Sequence, residues 1–403
     1  MVGTALTVSL VLAAETVLER LFSKTDMATG AWWLIAAAFV AAALAVVLDV
    51  NRTTLHPYYR AKLSAAFLLD AEGGVSPPLK LSAVRPERTL FPILNCALNV
   101  PGSKSPAMRG RLSDVFSLTP VSIGSALVGH RPTADWEKEN PELDLAAAMA
   151  LSGAAASPQM GLRTNRLGSF WLTLLNVRLG IWLRRPSPHT GEGGKRPDRS
   201  RFAGPRLPFL LREFTATANE SLEYLHVSDG GHIENLGVYE LLRRRCSYIL
   251  AVDGENDPAM TFHALTNLQR LAYIDFGIVI EADLDDLRLG GDGFTRSHFR
   301  LCRIRYPDPE RPGSFETGYL VYLKLSLTGN EGEFIRRYRF DEPAFPHHPT
   351  SDQFFTEAQF EAYRSLGEHI GDKLFLPAIV GPMGRSSRLD LAEWMKALGR
   401  SLL

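Results

Sequence analysis

The chain has 403 residues, 45% hydrophobic and 22% charged, enough for one large domain or two ordinary ones. Lys+Arg and Asp+Glu balance at 44 each, so no whole-chain field draws it to nucleic acid or another polyanion. Its three cysteines, Cys96, Cys246 and Cys302, are widely separated, sit in or beside apolar runs and fall in no metal-ligand spacing; they read as buried free thiols in a reducing compartment.

The N-terminus reads as membrane-associated. Met1 to Ala14 is an apolar run ended by Glu15 and Glu19, with neither the basic opening nor the cleavage site of a signal peptide. From Met27 to Leu48 there is no charged residue, long enough to cross about 30 Å of hydrocarbon as a helix. Trp32 and Trp33 stand at one end of that span as interfacial anchors, and charge resumes at Asp49. Arg52, Arg60 and Lys62 follow, which places the large remainder in the cytoplasm. Residues 1–50 thus form one or two spanning segments, and 51–403 the main domain.

Beyond the span, residues 51 to about 75 read as a helix closed by Gly73 and Gly74, and L-F-P-I-L-N-C-A-L-N as a buried strand. L-D-L-A-A-A-M-A-L-S-G-A-A-A-S-P reads as an Ala-rich helix opened by Asn140 and Pro141. The segment G-S-F-W-L-T-L-L-N-V-R-L-G-I-W-L packs into the core as a helix and its turn, or lies at a lipid interface. Residues 184–206 are Pro/Gly-rich and basic, the composition of a flexible surface loop. S-Y-I-L-A-V-D-G, A-Y-I-D-F-G-I-V-I-E and G-Y-L-V-Y-L-K-L-S-L favour strand, and T-E-A-Q-F-E-A-Y-R-S-L-G favours a helix with a glycine stop. Strands alternating with helices make the fold class α/β.

The most informative string is L-H-V-S-D-G-G-H-I-E-N-L-G-V-Y-E-L-L-R-R-R. A strand reaches Ser228, turns through Asp229-Gly230-Gly231 and enters a helix with apolar positions at Leu236, Val238, Leu241 and Leu242. The two glycines permit backbone angles closed to other residues and hold the carboxylate at a strand end, and Asn235 satisfies backbone groups beside the turn. The alternative is a tight turn with Asp229 as an N-cap. Elsewhere, Asp253 and Asp257 in V-D-G-E-N-D-P read as a strand-end turn or a divalent-cation site, and His347-His348 as a solvated loop.

S-D-G-G-H-I-E-N-L-G resembles the aspartate motif of patatin-like lipid acyl hydrolases, which use a Ser–Asp dyad without histidine. The resemblance makes Asp229 the dyad aspartate, with Gly230 and Gly231 supporting its turn. A-L-S-G-A-A-A-S-P-Q-M-G, L-N-C-A-L-N and F-S-L-T-P-V-S-I-G-S resemble segments that precede the aspartate in that family. N-R-T-T-L-H-P-Y-Y-R, L-L-N-V-R-L-G-I-W-L and S-D-Q-F-F-T-E-A-Q-F-E-A-Y-R are similar to a bacterial subgroup with membrane helices inside the patatin-like region. The match covers most of residues 49 to 370 and implies part of a three-layer patatin-like sandwich, membrane lipid as the partner, an inner-membrane location and no cofactor, since dyad chemistry needs no metal.

The nucleophile is not in evidence. Such a serine sits on a strand–helix elbow, G-x-S-x-G, beside oxyanion-binding amides. No serine of the chain lies in that pattern. In the resembled family both features precede the aspartate, so here they would precede residue 1. Ser152, in A-L-S-G-A, is a degenerate elbow at best, and Ser125 has less support. The chain alone is therefore expected to be inactive, with its nucleophile in a separately encoded N-terminal half. The alternative is a catalytically silent membrane protein that binds lipid or a partner.

Overall fold

The computed structural model describes residues 49–154, 179–186, 204–349 and 352–380, less 71–72, 75–76, 88, 109 and 353, together with 393–395 and 398. The expected membrane spans and most of the 184–206 loop lie outside the described residues. Among those described, no helix is long and apolar enough to cross a membrane. The chain divides into two compact units, one ending at Ile233 and one beginning at Glu234.

The first unit contains α1 (His56–Phe67), β1 (Leu94–Asn99), β2 (Ser113–Leu118), β3 (Ser122–Ser125), β4 (Gly129–Pro132), α2 (Thr133–Glu139), α3 (Leu145–Ser152), β5 (Ile181–Arg184), α4 (Leu207–Phe214) and β6 (Tyr224–Asp229). Its strands form one sheet in the order β4-β3-β2-β1-β6-β5, every pairing antiparallel. β2 is buried along its whole length and β1 from Cys96 onward. Their apolar residues, Leu94, Cys96, Ala97 and Leu98 in β1 and Val115, Phe116 and Leu118 in β2, are joined in burial by the polar Asn99, Ser113, Asp114 and Ser117. Leu98, Phe116, Leu118, Ile123 and Trp136 are sealed in the core. Each such side chain contributes about 1.5–3 kcal/mol of burial. Trp136 stands edge-on to Phe116 and donates its indole N–H to the Ile123 carbonyl, 3.0 Å.

α3 begins later than its sequence suggests. Its N-cap is Asp144, whose carboxylate accepts the Ala147 amide at 2.8 Å, rather than Asn140. Asn140 instead grips β5, exchanging hydrogen bonds with the Arg184 backbone. Most of the Trp-rich segment lies outside the described residues; its described end enters β5 as strand rather than helix, with Trp182 and Leu183 buried.

The second unit contains α5 (Tyr239–Arg243), β7 (Tyr248–Asp253), α6 (His263–Phe276), β8 (Val279–Glu281), β9 (Phe299–Pro307), β10 (Phe315–Lys324), α7 (Glu333–Asp341) and α8 (Glu357–Val380). Its sheet runs β7-β10-β9-β8; only β7 and β10 are parallel. A-Y-I-D-F is helix, not strand. It completes α6, whose Ala264, Leu265, Leu268, Leu271 and Ala272 are buried at helical spacing. Gly277, at φ +67, stops that helix and returns its N–H to Ala272 and Tyr273. Gly367 does not stop α8, which continues through it to Val380. Ala362, Leu366, Ile370 and Leu374, four apart, give that helix one buried face. The chain is thus mixed α/β, with two largely antiparallel sheets.

Candidate functional site

Asp229 is the last residue of β6, and the chain leaves it through a single 3-10 turn, Gly230–His232. One carboxylate oxygen of Asp229 accepts the Gly231 amide at 2.7 Å. Gly230 is needed for a reason other than the one expected. Gly230 and Gly231 both lie within the 3-10 turn, and neither takes a positive φ. The constraint on Gly230 is proximity: a Cβ there would stand 2.4 Å from the Asn95 carbonyl oxygen and 2.9 Å from its carbon. The turn therefore packs its backbone directly on β1, and only a residue without a side chain fits.

β1 and β6 pair so that Cys96 stands opposite Asp229. The Cys96 thiol is pushed well up, by burial first and by the Asp229 charge second. The Tyr59 phenol of α1 is raised for the same two reasons in the same order. The aspartate is thus part-buried among acids that both stay protonated near neutrality.

Ser152 closes α3, and its hydroxyl donates to the Asn95 carbonyl at 2.7 Å. Asn95 is thereby shared between Ser152 and the Asp229-Gly230 turn. A Cβ on the following residue, Gly153, would stand 2.9 Å from the Tyr59 hydroxyl. The fold brings Ser152, Tyr59 and the aspartate turn around one strand end. It does not give Ser152 the setting of a nucleophile. The partner of its hydroxyl is an amide carbonyl, too weak a base to take a proton. The serine also ends a helix where an elbow serine would begin one, so the helix dipole opposes an oxyanion there.

Asn235 is exposed, and the side chain that satisfies backbone groups after the turn is Glu234. Glu234 accepts the amides of Leu236 (2.6 Å), Val238 (2.9 Å) and Tyr239 (3.2 Å). The helix that follows starts only at Tyr239. Glu234 is buried, which raises its pKa although those amides act to lower it.

A second serine lies on the other face of β6. Ser228 accepts a hydrogen bond from Asn99 Nδ2 at 2.8 Å and lies 3.0 Å from His232 Nδ1. The direction of the Ser228–His232 hydrogen bond follows the imidazole tautomer. Ser228 is 0% exposed, which closes it to a substrate and makes the network a brace for the turn. Tyr59, Asn95 and Asn99 lie in strings that resemble the family, N-R-T-T-L-H-P-Y-Y-R and L-N-C-A-L-N, but nothing in those strings gives them a place at the site, because β1 and α1 reach it through the fold. Ser228 and His232 are visible in the aspartate motif itself at a spacing of four.

A cleft in this unit lies elsewhere. It encloses about 510 Å³ and is lined by Asn51, His56, Arg60, Lys80, Glu142 and Trp182 among others. Its charges pair among themselves, Arg60 with Asp144 and Arg52 with Glu142 at 3.2 Å. Asp229 and Ser152 do not line it.

In the second unit, Asp253 and Asp257 face the Lys324 ammonium, Nζ at 3.1 and 3.5 Å, with all three buried. The Tyr322 hydroxyl also donates to Asp253. The lysine occupies the place a divalent cation would take. His348 bonds Tyr363 through Nδ1 at 2.9 Å, and His347 is buried enough to have its pKa lowered. The pair is thus packed, where a solvated loop was expected.

No family model and no curated protein matches the chain. Among solved structures it is similar to human GIVD cytosolic phospholipase A2, at 12% identity and a TM-score of 0.41, over 86% of this chain and 50% of that one. The chain thus spans half the length of that protein, and a likeness at this TM-score carries no weight for fold or activity.

Proposed function

We propose that this chain is the aspartate-bearing part of a membrane-anchored, patatin-like serine acyl hydrolase acting on lipid esters of the phospholipase or lysophospholipase type. Asp229 is the dyad aspartate, and a segment outside these 403 residues carries the nucleophile and the oxyanion glycines. The observation that carries the reading is the S-D-G-G motif at the end of β6, with the carboxylate held by the Gly231 amide and the turn seated on Asn95. A base for a serine must be positioned and ionised. The Gly231 amide supplies the positioning. The apolar run at 27–48 anchors the enzyme in the bacterial inner membrane beside its substrate, with the remainder in the cytoplasm.

The test is to isolate the native protein with its neighbouring coding sequence and treat it with a serine-directed phosphonate. A label on a G-x-S-x-G serine encoded upstream supports the proposal. A label on Ser152, removed by Ser152→Ala, would relocate the nucleophile to α3. No label, with lipid binding retained, would leave the silent binding protein as the reading.

A further inference from the structure

The second unit gathers three metal-competent side chains that are distant in sequence. His298 precedes β9, Glu331 lies in the turn between β10 and α7, and His369 is on α8. Their ligating atoms all lie within 4.8 Å of one another. His298 and Glu331 are buried and His369 is part-buried. We propose that His298, Glu331 and His369 form a binding site for a divalent transition-metal cation of the zinc class.

The two buried groups are already oriented. His298 Nδ1 is 3.1 Å from the Ser326 hydroxyl, which turns Nε2 toward Glu331 Oε1 at 3.9 Å. Glu331 is held by the Thr328 amide at Oε1 (2.6 Å) and the Gly329 amide at Oε2 (3.0 Å). Hydrogen-bond partners of this kind orient ligands in metal sites. The His369 ring stands edge-on to that of His298, centroids 5.5 Å apart, and its Nε2 is 2.9 Å from Asn330 Oδ1.

The Thr328 hydroxyl stands among these groups, 3.1 Å from His298 Nε2, 3.0 Å from Asn330 Oδ1 and 3.2 Å from Glu331 Oε1. Two imidazoles and one carboxylate select zinc-like ions over calcium or magnesium, which take oxygen ligands. Metal bonds of about 2.0–2.2 Å need the ligand atoms closer by roughly 1 Å, a movement within reach of the part-buried His369 side chain. Three protein ligands leave a fourth position. Glu331 also lines a cleft of about 350 Å³, walled by Phe294, Arg336 and Arg339, where water or a small anion can complete the coordination.

The experiment uses the full chain in detergent, without a histidine tag, stripped with chelator and titrated with Zn²⁺ by calorimetry and with Co²⁺ by absorption. The expected result is one saturable equivalent, with the intense visible bands of four-coordinate Co²⁺. His369→Ala and Glu331→Gln should each weaken binding at least about tenfold. His369→Ala should keep the wild-type unfolding midpoint in chelator, since that side chain is only part-buried. His348→Ala, elsewhere in the unit, should bind as wild type. Absence of saturable binding by the wild type overturns the assignment. Equal binding by both ligand variants does so too, as does loss confined to His348→Ala.

Discussion

Two strands, one in each unit, end in the same way: β6 runs V-S-D-G and β7 runs A-V-D-G. The two aspartates have opposite fates. Asp253 is 2% exposed and neutralised by a buried lysine, with a tyrosine hydroxyl on the same carboxylate. A charge so enclosed must be paired for the chain to fold. Asp229 is part-buried, accepts the Gly231 amide, and stands beside a phenol and a thiol that keep their protons. The contrast is one of enclosure: Asp253 is sealed in with its lysine, whereas Asp229 is left part-exposed at a positioned strand end.

The comparison can be broken most forcefully at Lys324. Lys324→Met strands Asp253 and Asp257 without their cation and should cost about 3–5 kcal/mol in denaturant unfolding of the second unit. A loss below about 1 kcal/mol would mean the acids are solvated and the pairing incidental. The glycines after the two acids give a sharper contrast. Gly230→Ala forces a Cβ against the Asn95 carbonyl and should cost about 1–3 kcal/mol. Gly254→Ala meets only the end of Leu325 at 3.5 Å and should stay within about 0.5 kcal/mol. Equal effects at the two sites would remove the close approach as the reason for Gly230. The smallest effect is on thiol reactivity. Burial pushes Cys302 up to about 12, and burial together with the Asp229 charge also raises Cys96 well above the usual thiol range. At pH 8 roughly one Cys302 thiol in ten thousand is ionised. Alkylation of the native chain should therefore mark the part-buried Cys246 first, and early modification of Cys96 would mean the Asp229 side of β1 is open.

Much of this architecture is legible in the sequence where burial acts on contiguous residues. Leu94–Asn99, Tyr248–Asp253 and Phe315–Lys324 announce themselves as strands by apolar runs, and Asp229 by its glycines. The errors fall where the deciding partner is remote. A-Y-I-D-F looks like strand in isolation and is helix because its buried positions continue a stripe begun at Ala264. Asp144 outcompetes Asn140 as a cap because its carboxylate reaches Ala147, while Asn140 is drawn to β5. The need for Gly230 depends on Asn95, and His298, Glu331 and His369 come from three elements; such groupings exist only after packing.

The most direct measurement is ester hydrolysis by the native protein, complete with its nucleophile segment, carrying Asp229→Asn. The account predicts a rate loss of about 10²–10⁴-fold with an unchanged unfolding midpoint, since the amide from Gly231 still finds an oxygen acceptor. Hydrolysis at the wild-type rate by a folded Asp229→Asn protein would contradict it and reduce the turn at the end of β6 to a structural device.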